Sequence, residues 1–195
     1  METSMRWTSK DLEALPLEDG TRYEIIDGEL YASKQPDWEH QYVCVRLAVA
    51  LEAWSQQTQR GLTLFAPGLV FAEDDSVAPD LVWISWERLA LVRGVDGKLH
   101  AAPELVVEVL SPGEKNVQRD RDLKRRLYAR RGVPEYWIID WRERRVEIYQ
   151  QKQAGLQLVA TLDQDGTLQS PLLPGFSCPV RQLFIGLVPR RESGE

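Results

Sequence analysis

Three short apolar runs constrain this chain most: Leu81-Val82-Trp83-Ile84, the stretch from Glu104 through Leu110, and Glu135 to Asp140. Each is too short to cross a membrane, and none has the three-to-four spacing of an amphipathic helix. They read as central strands covered on both faces. Helical patterns lie before and between them. The expected class is therefore α/β (α+β), with a mixed central β-sheet flanked by α-helices.

The rest of the chain is read around these strands. Thr8 to Leu15 predicts a short helix with capping residue types at its start. Arg22 to Ala32 predicts a hairpin turning at Asp27-Gly28. Trp38 to Thr58 carries Val43, Leu47, Ala50, Leu51 and Trp54 at helical spacing, and Gly61 is expected to end that helix. Leu62–Phe65, Leu69–Phe71 and Val77–Ser85 are expected as strands, with a turn at Asp74-Asp75. A short helix follows over Glu87–Val92, with a turn at Val95–Lys98. Val117 to Arg131 predicts a second long helix, closed by Gly132 in a left-handed cap. Arg145–Gln150, Leu156–Thr161 and the proline-rich segment 171–179 are expected to finish the sheet. The organisation expected is one domain over 1–195. Its core spans about 20–150, 151–189 add strands, and 190–195 fray.

With 195 residues the chain can bury a sizeable core. Its formal net charge is -6. A protein of that sign is no general binder of nucleic acid, so any such function requires a local basic patch. The two cysteines, Cys44 and Cys178, have neither metal-ligand spacing nor a disulfide framework. Cys44 falls in an apolar helical run and is expected as a buried, inert thiol. No window is long and apolar enough to span a membrane, and residues 1–16 lack a signal-peptide core. The expected location is cytoplasmic.

Two acids stand where the core should be. Asp80 follows Pro79 at the start of one apolar strand, and Glu108 is embedded in another. An isolated ionised carboxylate there is unfavourable unless it is paired or holds a cation. Two such acids on neighbouring strands, with the carbonyl of Val109, could form an oxygen-rich site with open positions. Magnesium suits that donor set, and manganese could substitute. The alternative for Glu108 is a structural pair with an arginine, or solvent on an edge strand.

The helix after Glu108 carries Asp120, Lys124 and Tyr128 at i, i+4 and i+8, on one face. Leu123 and Leu127 beside them should anchor the helix on the sheet. A lysine held there could orient a water and stabilise charge in phosphoryl chemistry. The alternative is an i,i+4 pair between Lys124 and Asp120 on a solvated face. The helix is also basic. Arg119, Arg121 and Arg125, with Lys115, Arg126, Arg130 and Arg131, could follow a phosphate backbone. They could equally lace a solvated helix with ion pairs. Ser111 reads as a turn residue, and His100 has no obvious partner.

These residues, in this order, resemble the Uma-two family of the PD-(D/E)XK nuclease superfamily. The matching pieces run from Tyr23-Glu24-Ile25-Ile26-Asp27-Gly28-Glu29-Leu30 and His40 to Ala78-Pro79-Asp80-Leu81-Val82. They continue with Pro103 to Pro112, then Asp120, Lys124 and Tyr128, and finally Gly132 to Asp140, so the likeness covers about residues 7 to 150. It implies a restriction-endonuclease-like core, with Asp80 and Glu108 as the paired acids. The superfamily lysine usually stands two residues after the second acid, where this chain has Leu110. The family pattern nominates Lys124 instead. It also marks Glu24 and His40 as accessory positions, for a metal or water contact and for phosphate contact or proton transfer.

The expectation is a magnesium-dependent endonuclease cutting DNA, assembled as a homodimer. Asp80, Glu108 and Lys124 are expected to be catalytic, and Asp80, Glu108 and Val109 to be metal ligands. The alternative from another class is a nuclease-like scaffold that binds nucleic acid or a protein without hydrolysis, consistent with Leu110 and the negative charge. A third reading gives the basic helix and the cluster of Trp137, Trp141 and Arg145 to a subunit contact.

Overall fold

The structure, a computed structural model, describes residues 6–15 and 20–187. The expected tail at 190–195 lies outside them. The chain opens with α1 (Ser9–Ala14), then a hairpin of β1 (Arg22–Ile26) and β2 (Glu29–Ser33). Its two-residue turn places Asp27 at φ 55° and Gly28 at φ 77°, the left-handed pair that matches strand twist. Next come α2 (Trp38–Thr58), β3 (Gly61–Phe65), β4 (Leu69–Ala72), β5 (Asp75–Val77), β6 (Leu81–Ser85) and α3 (Trp86–Val92). They are followed by β7 (Leu105–Val109), the helical run of α4 (Glu114–Gln118), a π-helical turn (Arg119–Lys124) and α5 (Arg125–Arg130), and then β8 (Glu135–Asp140), β9 (Arg145–Lys152) and β10 (Gly155–Leu162).

The central sheet has six strands in the order β10-β9-β8-β7-β6-β3. Its one parallel pair is β7 with β8, the two joined by the α4–α5 run; the other pairs are antiparallel. The expected mixed sheet with helices on its faces is present. Alternation along β7 divides the core. Leu105, Val107 and Val109 join the cluster that holds Val43, Leu47, Leu51 and Trp54 of α2. Val106 and Leu110 join the cluster that holds Leu127 and Tyr128 of α5. Glu108 lies between Val106 and Leu110 in the period-two pattern, so it faces α5.

Three expectations are corrected. The segment 77–85 is not one strand. It divides into β5, in a separate four-stranded sheet ordered β2-β1-β5-β4, and β6 in the central sheet. Pro79 supplies no ladder donor at the crossing, and the Ala78 amide donates to Glu24 instead (3.0 Å). Gly61 does not cap α2; Gln59 does, in the left-handed conformation. Gly61 begins β3, where an added Cβ would collide with the Ile84 carbonyl oxygen. The segment 171–179 does not extend the central sheet. Thr167–Leu168 pairs with Cys178–Pro179 as a separate ribbon, while Leu173, Phe176, Val180 and Phe184 cover the α2-side core. Prolines 171, 174 and 179 remove the amides a regular strand needs.

Trp137 and Trp141 are interior, packed in that same core. They form no exposed cluster with Arg145, which pairs with Glu143 (2.9 Å). Cys44 is fully buried, as expected. No described helix is long and apolar enough to cross a membrane.

A buried acid cluster as candidate active site

Four elements converge near the end of β7. Glu24 comes from β1, His40 from the first turn of α2, Asp80 from the crossing before β6, and Glu108 from β7. The helical run across from them supplies Asp120, Lys124 and Tyr128. All seven side chains are buried, Lys124 to 1 % exposure. Lysine almost never reaches that depth unpaired. Its Nζ lies 2.9 Å from Glu108 Oε1 and 2.9 Å from Glu24 Oε1, with Asp120 Oδ1 at 3.7 Å. The Tyr128 hydroxyl donates to the same Glu108 oxygen (2.8 Å). The helical face expected from spacing therefore does meet Glu108. The alternative of a solvated Lys124–Asp120 pair is excluded by the burial of both.

The helix at this point is not regular. Asp120 and Lys124 sit in the π-helical turn, an irregularity frequent at functional sites. Leu127 and Tyr128 anchor α5 in the core below, and Leu123 packs against it. Leu110 is buried in that same apolar cluster. The amine next to Glu108 thus comes from the helix and not from β7.

Asp80 is held from three sides. His40 Nε2 lies 3.1 Å from Oδ2, the Val109 amide donates to Oδ2 (2.9 Å), and Arg22 Nη1 lies 3.3 Å from Oδ1. Burial pushes the Asp80 carboxyl up. The His40 contact and charge outweigh that, joined by the Val109 amide and Arg22, and hold it at about 2. Burial likewise opposes ionisation of Glu24, but Lys124 and then Arg119 hold it below its ordinary value. Glu108 behaves oppositely. Burial raises it, Lys124 opposes, and the charges of Asp80, Asp120 and Glu24 add, leaving it at about 8. Asp120 is raised too, first by burial, against Lys124 and Arg119. One ammonium shared by several acids cannot keep all of them ionised. Lys124 itself is lowered by burial, but Glu108, Glu24 and Asp120 more than reverse this and secure its charge.

Glu24, His40, Asp80, Glu108, Asp120 and Lys124 line a cavity of about 910 Å³. Arg22, Lys34 and Arg119 are on its wall, with Gln35, Gln41, Ser111 and Asn116. Of the three arginines expected to meet a phosphate backbone, only Arg119 lines this cavity. Arg121 pairs with Glu147 (2.7 Å) and Asp140. Arg125 donates to the Leu156 carbonyl and stacks over Tyr149. Arg130 and Arg131 grip Asp75. His100, which had no partner from sequence, lies 2.9 Å from Asp96 Oδ1.

Two residues escaped the sequence reading. Arg22 stands two before Glu24 on β1, hence on the same strand face; that spacing was the available signal. Cys44 stands one turn after His40, with Sγ 3.7 Å from Nδ1. His40, Cys44 and Asp80 form a group that could hold a metal ion. Burial, followed by the charges of Asp80 and Glu108, pushes the Cys44 thiol far up. Metals bind the thiolate, so a thiol pushed up in this way is a poor ligand for that group. The charge balance is uneven: four buried acids, Glu24, Asp80, Glu108 and Asp120, face three fixed cations, Arg22, Arg119 and Lys124. A divalent ion relieves such an excess.

The Uma2 family model, described as "Putative restriction endonuclease", matches residues 9–181. The chain belongs to the Uma2 family. A crystal structure from Anabaena variabilis, described as "a putative nuclease belonging to DUF820", has the same fold, with a TM-score of 0.73 at 19% identity. The match covers 91% of this chain and 97% of that one. No curated protein matches. For this Uma2 chain the family match extends past residue 150, through β10 and the C-terminal ribbon, further than the sequence motifs alone indicated.

Proposed function

We propose that this Uma2 protein is a metal-dependent nuclease that hydrolyses phosphodiester bonds in DNA. The observation that carries the reading is the convergence of Asp80, Glu108 and Lys124 on the wall of one cavity, with more buried acid than fixed positive charge. Asp80, Glu108 and the carbonyl of Val109 would hold magnesium, or manganese in its place. When bound, the ion supplies Lewis-acid polarisation of the phosphoryl group and offsets the charge that develops on it.

The protein's own groups do the rest. Lys124, permanently charged and fixed by Glu24, donates a hydrogen bond toward a non-bridging phosphate oxygen or the attacking water. Tyr128 fixes the Glu108 carboxylate, and His40 and Arg22 fix Asp80. Arg119 and Lys34 steer the phosphate chain into the cavity. Arg121 and Arg125, engaged with Glu147, Tyr149 and the Leu156 carbonyl, are not assigned to the substrate here. The cluster also answers the departure at Leu110, because the amine reaches Glu108 from the helix.

The test is cutting of labelled DNA by purified protein with magnesium or manganese. Asp80→Ala and Lys124→Ala should each lower the rate on the order of 10³-fold. No cutting of any DNA or RNA, or cutting that both variants retain, rejects the reading. Cutting absent but tight binding retained identifies a non-hydrolytic nuclease scaffold.

A further inference from the structure

We infer that the strand entering this cavity is unpaired: the substrate is single-stranded nucleic acid, or a frayed end, and not intact duplex. The inference rests on the nuclease reading of the same site and concerns what that site admits.

Three observations carry it. First, the reacting groups are recessed. Asp80 is 5 % exposed and Glu108 2 %, on the wall of a cavity of about 910 Å³. That volume is in the range of sites that enclose a small ligand. A strand must bend a phosphate inward to reach it, which an unpaired strand does without losing base pairs. Second, the positive footprint is small. Duplex binding by charge alone requires roughly 6–10 neutralised phosphates. Apart from buried Lys124, the cavity offers at most Arg22, Lys34 and Arg119, and two of these also lie against acids, Arg22 against Asp80 and Arg119 against Asp120. The basic helix that could have extended the track is engaged internally through Arg121, Arg125, Arg130 and Arg131. The net charge of -6 adds a repulsive background. Third, Gln35 and Gln41 are among the residues that line the cavity. Amides suit the hydrogen-bonding edges of bases, and the Watson–Crick edges are open only when the strand is unpaired.

The charge map sets a number. Three cations on a single strand give a slope of log K against log salt of about −2, whereas six phosphates on a duplex give about −5. The experiment is anisotropy of a labelled oligodeoxynucleotide in EDTA, which prevents turnover, between about 50 and 200 mM sodium chloride. The single strand is compared with its duplex and with an RNA strand of the same sequence. The single strand should bind at least about tenfold more tightly than the duplex, with a slope near −2. Lys34→Ala, an exposed change, should make the slope shallower by about 0.7. Arg126→Ala, on the exposed side of the helix, should leave it unchanged.

Tighter binding of the RNA strand keeps the unpaired-strand inference and assigns the sugar. Equal or tighter duplex binding, a slope near −5, a shallower slope in Arg126→Ala, or no binding of either strand overturns it. The two readings separate in a parallel cutting assay with magnesium. Duplex cut faster than single strand leaves the nuclease and removes this inference. Single-strand binding without metal-dependent cutting leaves the strand preference and removes the nuclease.

Discussion

Two of the places where the molecule buries acid are balanced differently. At the hairpin side, Asp75 is 1 % exposed and meets Arg130 (3.1 Å) and Arg131 (2.5 Å), with the Asp27 amide donating to Oδ1. One carboxylate has two guanidinium partners. Burial raises it, but the Asp27 amide and the two arginines outweigh that and hold it below its ordinary value. At the end of β7 the ratio is reversed: Glu24, Asp80, Glu108 and Asp120 share Lys124, Arg119 and Arg22, and two of the acids are driven upward. A closed pair of the first kind joins elements. An over-supplied cluster of the second kind is a cost that a structural role does not require. Between these two clusters the ratio of acid to fixed cation is the difference; burial alone does not distinguish them.

The largest expected effect on stability is at the balanced cluster. Asp75→Ala leaves the Asp27 amide and two partly exposed guanidiniums without their shared acid, while Arg130 keeps Asp27. It should cost about 2–3 kcal/mol, read by denaturant unfolding. Glu108→Gln should cost far less in the metal-free protein, because Glu108, raised to about 8, is held mostly protonated near pH 7 and glutamine resembles that form. A large loss in Glu108→Gln would erase the distinction between the clusters.

Next is pH. Glu108 is raised from 4.5 to about 8. Its contribution to stability is fully present below the unfolded value and is lost as pH rises through about 8. Asp75 is lowered, so its contribution is present above its unfolded value and is lost as pH falls through the folded one. Metal-free protein should therefore weaken from about pH 5 toward pH 8, and Glu108→Gln should flatten that slope. A slope unchanged in Glu108→Gln breaks this account of the site. The smallest effect is at Tyr128→Phe, which removes one hydrogen bond to Glu108 and should cost about 1 kcal/mol. Differential scanning calorimetry would measure it.

Much of this was legible in the chain. Apolar runs gave away β6, β7 and β8 because central strands carry no polar face to confuse the pattern. Asp80 and Glu108 were conspicuous for the same reason, as charges in otherwise apolar strands. The face of Asp120, Lys124 and Tyr128 was legible from helical spacing. What stayed hidden depends on contacts distant in sequence. The division of 77–85 into two sheets reflects Pro79 together with the distant Glu24, which takes the Ala78 amide. The internal pairing of Arg130 with Asp27, 103 residues away, cannot be read from a local charge run. The π-helical turn has no composition signal at all. Arg22 was overlooked because its partner Asp80 lies 58 residues on.

The most direct measurement of the central claim is a calorimetric titration with manganese or magnesium in buffers of different ionisation enthalpy near pH 7. The account predicts binding that releases a proton from Glu108, with the release lost in Glu108→Gln and the binding lost in Asp80→Ala. Absence of binding, or binding that both variants keep unchanged, would contradict it.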